Sequence, residues 1–293
     1  MATTTEPDPA TAQQYATQVA ITAALVGALR GLWPSANPLS SPAALSSYRE
    51  GVAVVVDRFA ALSAQTAADY YQTLRRTDAV PGTYRPRLVE PPPRSLVDAG
   101  IDYALRAESA EDIEAAIMAR VDSVMQKAVA DIAREQVVDA VEGDEKAIGF
   151  RRIPRPDACS WCLSLAIRSS TRGAKGERHI GVYKSRESAG QLPPNVKGEV
   201  NRYHNNCHCV VEPVFSPVEQ LPDWLADVEQ LYSDATEHSE RGESLNDFRR
   251  ALAARRRGEE PTPVPTPSLA PTTAPRDALQ ALLGRIEASM RAA

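Results

Sequence analysis

The four cysteines of the chain stand in two pairs, and this clustering constrains the fold more than any other feature. Cys159 and Cys162 form a Cys-x-x-Cys pair, and Cys207 and Cys209 follow shortly after His204. A Cys-x-x-Cys turn can point two thiolates at one ion, and a His-x-x-Cys turn can complete the tetrahedral site that structural zinc prefers. We therefore predict a structural zinc site held by Cys159, Cys162, His204 and either Cys207 or Cys209.

The same stretch allows two further interpretations. His208, between the last two cysteines, is either a hydrogen-bond donor that supports a ligand or an exposed side chain. Without a metal, the cysteines would be reduced thiols packed around Trp161 and Tyr203. Clustered cysteines in a cytoplasmic protein favour metal binding over disulfides, so zinc is the preferred hypothesis.

No catalytic signature accompanies the cysteines. A zinc deaminase carries a His-x-Glu before its Cys-x-x-Cys, whereas all four histidines of this chain follow Cys162. The sequence also lacks His-Glu-x-x-His, a Gly-rich phosphate loop and a serine elbow. We therefore expect a protein that is not an enzyme.

Two alternatives involve nucleic acid. An HNH-like nuclease would use His204, Asn205 and His208, with His179 as its general base. A zinc-dependent nucleic-acid-binding protein would use the basic residues of 151–215, where eleven Lys/Arg face five Asp/Glu, a local charge of +6 that leaves −11 elsewhere. The basic candidates are Arg151, Arg152, Arg155, Arg168, Arg172, Lys175, Arg178, Lys184 and Arg186.

The first half of the sequence predicts amphipathic helices. Apolar residues at helical spacing predict a helix over residues 10–33, and Pro34 is expected to end it. Ser41 and Pro42 form a start signal for a helix of some thirty residues. A short helix is predicted over 95–107, and a further helix is predicted from the Ser109–Asp112 capping pattern to about Val141. The first helix is expected to bury Tyr15, Val19, Thr22, Val26, Leu29 and Trp33.

The sequence thus predicts a mainly α protein with long helices in its N-terminal half, followed by a small α+β Cys/His zinc-knuckle-like domain and a helical C-terminal tail. The predicted segments are a helical domain at 1–148, the Cys/His knuckle at 149–216, a helical segment at 217–258, a Pro-rich linker at 259–275 and an amphipathic helix at 276–293. The last helix would either dock onto a partner or fold back onto its own chain.

The sequence gives no sign of membrane insertion. No stretch reaches the roughly 18 uninterrupted apolar residues of a membrane helix, and the first ten residues lack the pattern of a secretory signal. We therefore expect a protein that is made in a cytoplasm and makes no membrane contact.

The Cys/His region resembles the Mu F-like (SPP1-type) head morphogenesis proteins of tailed phages, in the version found in phages of actinobacteria. The likeness rests on Arg152-Ile-Pro-Arg-Pro-Asp-Ala-Cys159-Ser-Trp-Cys162-Leu-Ser-Leu, Gly181-Val-Tyr183, and Tyr203-His-Asn-Asn-Cys207-His-Cys209-Val-Val-Glu-Pro-Val-Phe215. Residues 169–178 depart from the family spacing as a polar insertion.

The resemblance implies a minor capsid protein, located in the virion at or near the portal vertex and made in the host cytoplasm. It implies a role in head assembly and in DNA packaging or ejection. The implied partners are the portal protein and the major capsid or scaffold protein, with contact to phage DNA as a further option. Some relatives carry a maturation protease label, but this sequence shows no protease signature.

Overall fold

The computed structural model describes residues 9–107, 112–155, 158–167, 171–172, 178–179, 182–183, 207, 209–216, 223–240 and 243–259. Several sequence predictions fall outside these residues. They concern His204, Asn205, His208, most of the Pro-rich linker and the C-terminal amphipathic helix.

The described chain is mainly helical, which confirms the predicted fold class. The N-terminal half contains α1 (Pro9–Ala36), α2 (Pro42–Thr77), α3 (Arg94–Leu105) and α4 (Ile113–Gly143). The start signal of α2 acts as expected, because the Ser41 side chain accepts a hydrogen bond of 3.1 Å from the Ala44 N–H. Asp112 caps α4 in the same way, accepting from the Ala115 N–H at 3.0 Å.

The α1 helix differs from its prediction in two respects. It continues two residues past Pro34, which lies in its last turn, where few backbone hydrogen bonds remain to be broken. Its buried face is also rotated, since Tyr15, Val19 and Val26 are only half-buried. The residues that α1 buries are Thr11, Gln14, Gln18, Ile21, Thr22, Leu25, Leu29 and Trp33.

Hydrogen bonds to other elements explain the polar part of this buried face. Gln18 accepts a hydrogen bond of 2.7 Å from the Ser63 hydroxyl and donates one of 3.1 Å to Thr66, both on α2. Thr11 hydrogen-bonds to the Tyr70 hydroxyl at 2.7 Å and donates to the buried Glu212 carboxylate. Because these polar groups are paired, they can occupy core positions that an apolar pattern does not reveal.

The second half of the described chain adds a small sheet and three helices. These elements are β1 (Gly149–Ile153), α5 (Ser160–Ile167), β2 (Thr171–Arg172), β3 (Arg178–His179), β4 (Val182–Tyr183), β5 (Val210–Val214), α6 (Asp223–Thr236) and α7 (Ser244–Arg256). Strand β1 lies at the centre of an antiparallel sheet in the order β4-β1-β5, and β2 pairs separately with β3.

Gly149 makes the close approach of β1 to β4 possible. A Cβ atom at this position would lie 2.5 Å from the carbonyl oxygen of Tyr183. Only a residue without a side chain fits there, so Gly149 permits the pairing of Phe150 with Tyr183.

Three clusters of buried residues form the core. The first lies among α1, α2, α3 and α4, around Leu25, Val52 and Met125. The second joins the C-terminal halves of α2 and α4 to β1, β5 and three of the cysteines. The third packs α5 against α6 and α7, around Leu163 and Phe248. The cysteines therefore lie where the helical half meets the sheet.

Among the described helices, α1 is long and apolar enough to cross a membrane by length and composition. A core helix passes the same test, and α1 contributes Ile21, Leu25 and Leu29 to the first core cluster. The expectation of no membrane contact stays a prediction.

Candidate metal centre

The first cysteine pair lies at the start of α5. Cys159 directly precedes the helix, and Cys162 lies in its first turn. The backbone N–H of Cys162 donates to the Cys159 sulfur at 3.4 Å. This turn brings the two side chains together, as the Cys-x-x-Cys spacing predicts.

The second pair, Cys207 and Cys209, directly precedes β5 and meets the first pair. The Sγ atoms of Cys162, Cys207 and Cys209 all lie within 4.8 Å of one another, and the Cys162–Cys207 sulfur distance is 3.4 Å. Zinc bonds of about 2.3 Å in a tetrahedral site place neighbouring sulfurs about 3.8 Å apart. These three buried cysteines could therefore bind a metal, with the half-buried Cys159 beside them.

Arg134, from α4, holds the Cys207–Cys209 segment in place. Its guanidinium donates to the carbonyl oxygen of Cys209 at 3.0 Å and to that of Cys207 at 2.5 Å, and it also pairs with Asp131. Arg134 is only 4% exposed. Sequence reasoning missed this residue, although it lies three, four and seven positions before the apolar residues Val137, Val138 and Val141 and thus on the buried stripe of α4.

Three of the predicted basic residues contact other groups of the chain. Arg152, which is 8% exposed, donates to the Cys162 sulfur at 3.7 Å. Arg151 pairs with the buried carboxylate of Glu212. The Arg155 guanidinium lies 5.3 Å from the centre of the Tyr15 ring. These cations have partners within the chain, which is how buried or half-buried arginines are normally accommodated.

The thiols of the cluster have pKa values that are shifted in opposite directions. The hydrogen bond between Cys207 and Cys162 lowers the pKa of Cys207, and the nearby positive charge of Arg134 lowers it further. Hydrogen bonds to Cys159 and then to Cys207 raise the pKa of Cys162. An added positive charge at the cluster would favour the ionised form of these thiols. A divalent cation supplies that charge, because a coordinated thiol loses its proton.

The structure brings Cys162, Cys207 and Cys209 together and places Cys159 next to them. His204 and His208 lie outside the described residues, so the predicted ligand set stays a prediction. The ligand atoms indicate which class of metal ion the site would prefer. Sulfur ligands at tetrahedral spacing suit zinc better than the hard cations calcium or magnesium, which prefer oxygen.

Comparison with known proteins gave one family. The family model described as VG15 protein matches residues 4–235, which covers most of the chain. This is a phage-associated family of viral genes, and the match therefore indicates a phage-encoded protein. No curated protein and no solved structure matches the chain.

Proposed function

Because the chain belongs to the VG15 protein family, we propose that it is a minor capsid protein of a tailed phage that acts in head morphogenesis. In this proposal it resides in the virion near the portal vertex and contacts the portal protein and the major capsid or scaffold protein. Its action there would support head assembly and DNA packaging or ejection.

One observation carries this proposal: the three separate parts of the Mu F-like sequence pattern meet in one place. The Cys-x-x-Cys turn of α5, the Val182–Tyr183 strand and the Cys207-x-Cys209 segment with β5 all belong to the second core cluster or its sheet. A pattern whose parts converge in space is more specific than the same residues scattered over a surface. This convergence supports the likeness to the Mu F-like head proteins.

We assign zinc a structural role in this protein. Its ligands would come from Cys159, Cys162, His204, Cys207 and Cys209. Zinc bound there would cross-link the first turn of α5 to the segment before β5, and structural zinc supplies folding free energy directly. The chain carries no residue that we assign to catalysis.

The function can be tested in the phage that encodes the protein. A nonsense mutation in the gene should prevent infectious particles, and complementation with the wild-type gene should restore them. Mass spectrometry of purified virions should detect the chain at low copy number beside the portal protein. Infectious particles formed without the chain, together with its absence from virions, would refute the proposed function.

The zinc assignment has a separate test. Elemental analysis of the purified full-length protein should give one zinc per chain, and its thiols should react with a chromogenic disulfide reagent only after a chelator is added. The Cys159→Ser variant should lose zinc, whereas Ser164→Ala, a control change on the helix that Cys159 precedes, should retain it. Metal-free protein with freely reactive thiols would contradict the assignment.

A further inference from the structure

The count of sulfur atoms at the site is the first observation that bears on the ligand set. Cys207 and Cys209 both lie in the cluster with Cys162, with all three sulfurs within 4.8 Å of one another. The Cys159 sulfur accepts the Cys162 N–H at 3.4 Å. Three clustered thiols and the adjacent Cys159 thiol therefore supply as many sulfurs as a structural zinc site has ligands.

The placement of Cys207 and Cys209 is the second observation. In an extended strand, side chains two positions apart point to the same face, but a single interposed kink separates them. Here the Arg134 guanidinium donates hydrogen bonds to the carbonyl oxygens of both Cys207 and Cys209. These two hydrogen bonds fix the backbone so that both sulfurs face Cys162.

The charge around the site is the third observation. Zinc with four thiolates carries a net charge of −2, and zinc with three thiolates and one neutral histidine carries −1. Burying such a charge costs several kcal/mol unless opposite charges lie close by. Two buried arginines meet this need: Arg152 contacts the Cys162 sulfur at 3.7 Å, and Arg134 binds the backbone of Cys207 and Cys209.

We propose that Cys159, Cys162, Cys207 and Cys209 together bind the zinc as a four-thiolate site, and that Arg134 and Arg152 offset its excess negative charge. This inference rests on the proposed zinc role and goes beyond it, because it assigns both cysteines of the second pair and excludes His204. Arg134 and Arg152 act as positioning residues that touch the ligands rather than the metal.

X-ray absorption at the zinc edge of the full-length protein tests the ligand set directly. The expected spectrum shows four sulfur neighbours at about 2.3 Å. The His204→Ala variant should keep one zinc and the same spectrum, as should the control His238→Ala, whose side chain is 68% exposed. Cys209→Ser should bind zinc at least tenfold more weakly in competition with a chromogenic chelator.

The outcomes separate the two proposals. Three sulfurs and one nitrogen, with the nitrogen lost in His204→Ala, would overturn the four-thiolate site and leave the zinc role standing. Protein that contains no zinc would overturn the zinc role itself. The wild-type spectrum decides between these results even if a variant fails to fold.

The role of the arginines has its own matched pair. Arg152→Gln keeps a hydrogen-bond donor but removes the charge, and it should weaken zinc binding about tenfold. Arg151→Gln, the neighbouring change on β1, alters a side chain that pairs with Glu212 and should leave zinc affinity within twofold of wild type. Equal affinities of the two variants would overturn the charge-compensation part of the proposal.

Discussion

At the scale of single residues, buried arginines connect the helices to the segments that pack on them. Arg134 joins α4 to Cys207 and Cys209, and Arg75 joins α2 to the segment that follows α4. Arg75 binds the Asp144 carboxylate at 2.8 Å and also donates to the Gly82 and Pro81 carbonyls. Each guanidinium satisfies several acceptors at once, so its loss leaves more than one buried group unpaired.

Arg134→Met should therefore lower the free energy of unfolding by about 3 kcal/mol, because two buried carbonyls lose a charged donor. Arg120→Met is the control on the same helix. Arg120 lies over the Tyr103 ring at 5.6 Å, and its loss should cost about 0.5–1 kcal/mol. Urea unfolding at neutral pH measures both values, and equal losses would contradict the role given to Arg134.

Asp144 makes the fold sensitive to acid. Burial alone would raise its pKa, but hydrogen bonds from Arg75, the Lys146 N–H and Tyr71 hold the pKa of Asp144 below its ordinary value. A carboxylate with a lowered pKa contributes stability that is present above the unfolded-state pKa of about 3.9 and is lost as the pH falls through the folded-state pKa.

Asp144→Asn should thus destabilise the protein by about 3 kcal/mol at pH 7, where Arg75 loses its buried partner. The difference from wild type should shrink as the pH falls from about 4 through the lowered folded-state pKa, because the wild-type carboxylate is protonated first in the unfolded state and then in the folded state. Asp57→Asn, an exposed change on α2, should stay within about 0.5 kcal/mol of wild type. A constant Asp144→Asn difference down to pH 2 would refute the explanation.

At the scale of elements, two glycines differ in how closely a neighbouring element approaches them. Gly149 allows β1 to lie against β4, whereas nothing lies within 4 Å of a Cβ atom placed on Gly27 of α1. The same substitution should therefore have opposite effects at the two positions.

Gly149→Ala should destabilise the protein by about 1–3 kcal/mol, since the added methyl group would press on the Tyr183 backbone. Gly27→Ala should stabilise it by about 0.5–1 kcal/mol, because alanine favours the helix and meets no neighbour. Thermal unfolding of both variants measures the two shifts. Shifts of the same sign would contradict this account.

Local signals predicted the elements better than the contacts between them. The Ser41–Pro42 start of α2 was readable because a cap depends on a few adjacent residues. The prediction for the buried face of α1 was wrong because that face includes polar residues such as Gln18, which is buried through hydrogen bonds to side chains that are distant in sequence. The role of Arg134 was missed for the same reason, as the two carbonyl groups that it binds lie more than seventy residues away.

In the candidate site too, local sequence signals predicted one part and long-range contacts determine the other. Spacing predicted that the two cysteine pairs would meet, and they do. It left the choice between Cys207 and Cys209 open, because that choice depends on a backbone conformation held by Arg134. Tertiary hydrogen bonds, which no local pattern encodes, account for this part of the site.

At the scale of the whole molecule, the cysteines belong to the second core cluster and lie at its border with the third. Cys162 belongs to the second cluster and its neighbour Leu163 to the third, while the first cluster lies further along the helices. A metal at this junction would stabilise the second and third clusters together.

Removal of the metal by a chelator should therefore increase amide hydrogen exchange in the C-terminal half of α4, in β1 and in α5. Amides around Val52 and Met125, in the first cluster, should retain their protection. Mass spectrometry of the exchanged protein measures both regions, and Cys159→Ser should reproduce the pattern without chelator. Uniform loss of protection would show instead that the described chain unfolds as one unit.

The bond between Thr11 and Glu212 has a consequence for synthesis on the ribosome. The two residues are 201 positions apart, so the first turn of α1 lacks its carboxylate partner until the sheet segment has been translated. At about 5–20 residues per second, that interval lasts roughly 10–40 s. During it Thr11 can bond to Tyr70 but not to Glu212, so the first turn of α1 completes its contacts only after the sheet segment has been made.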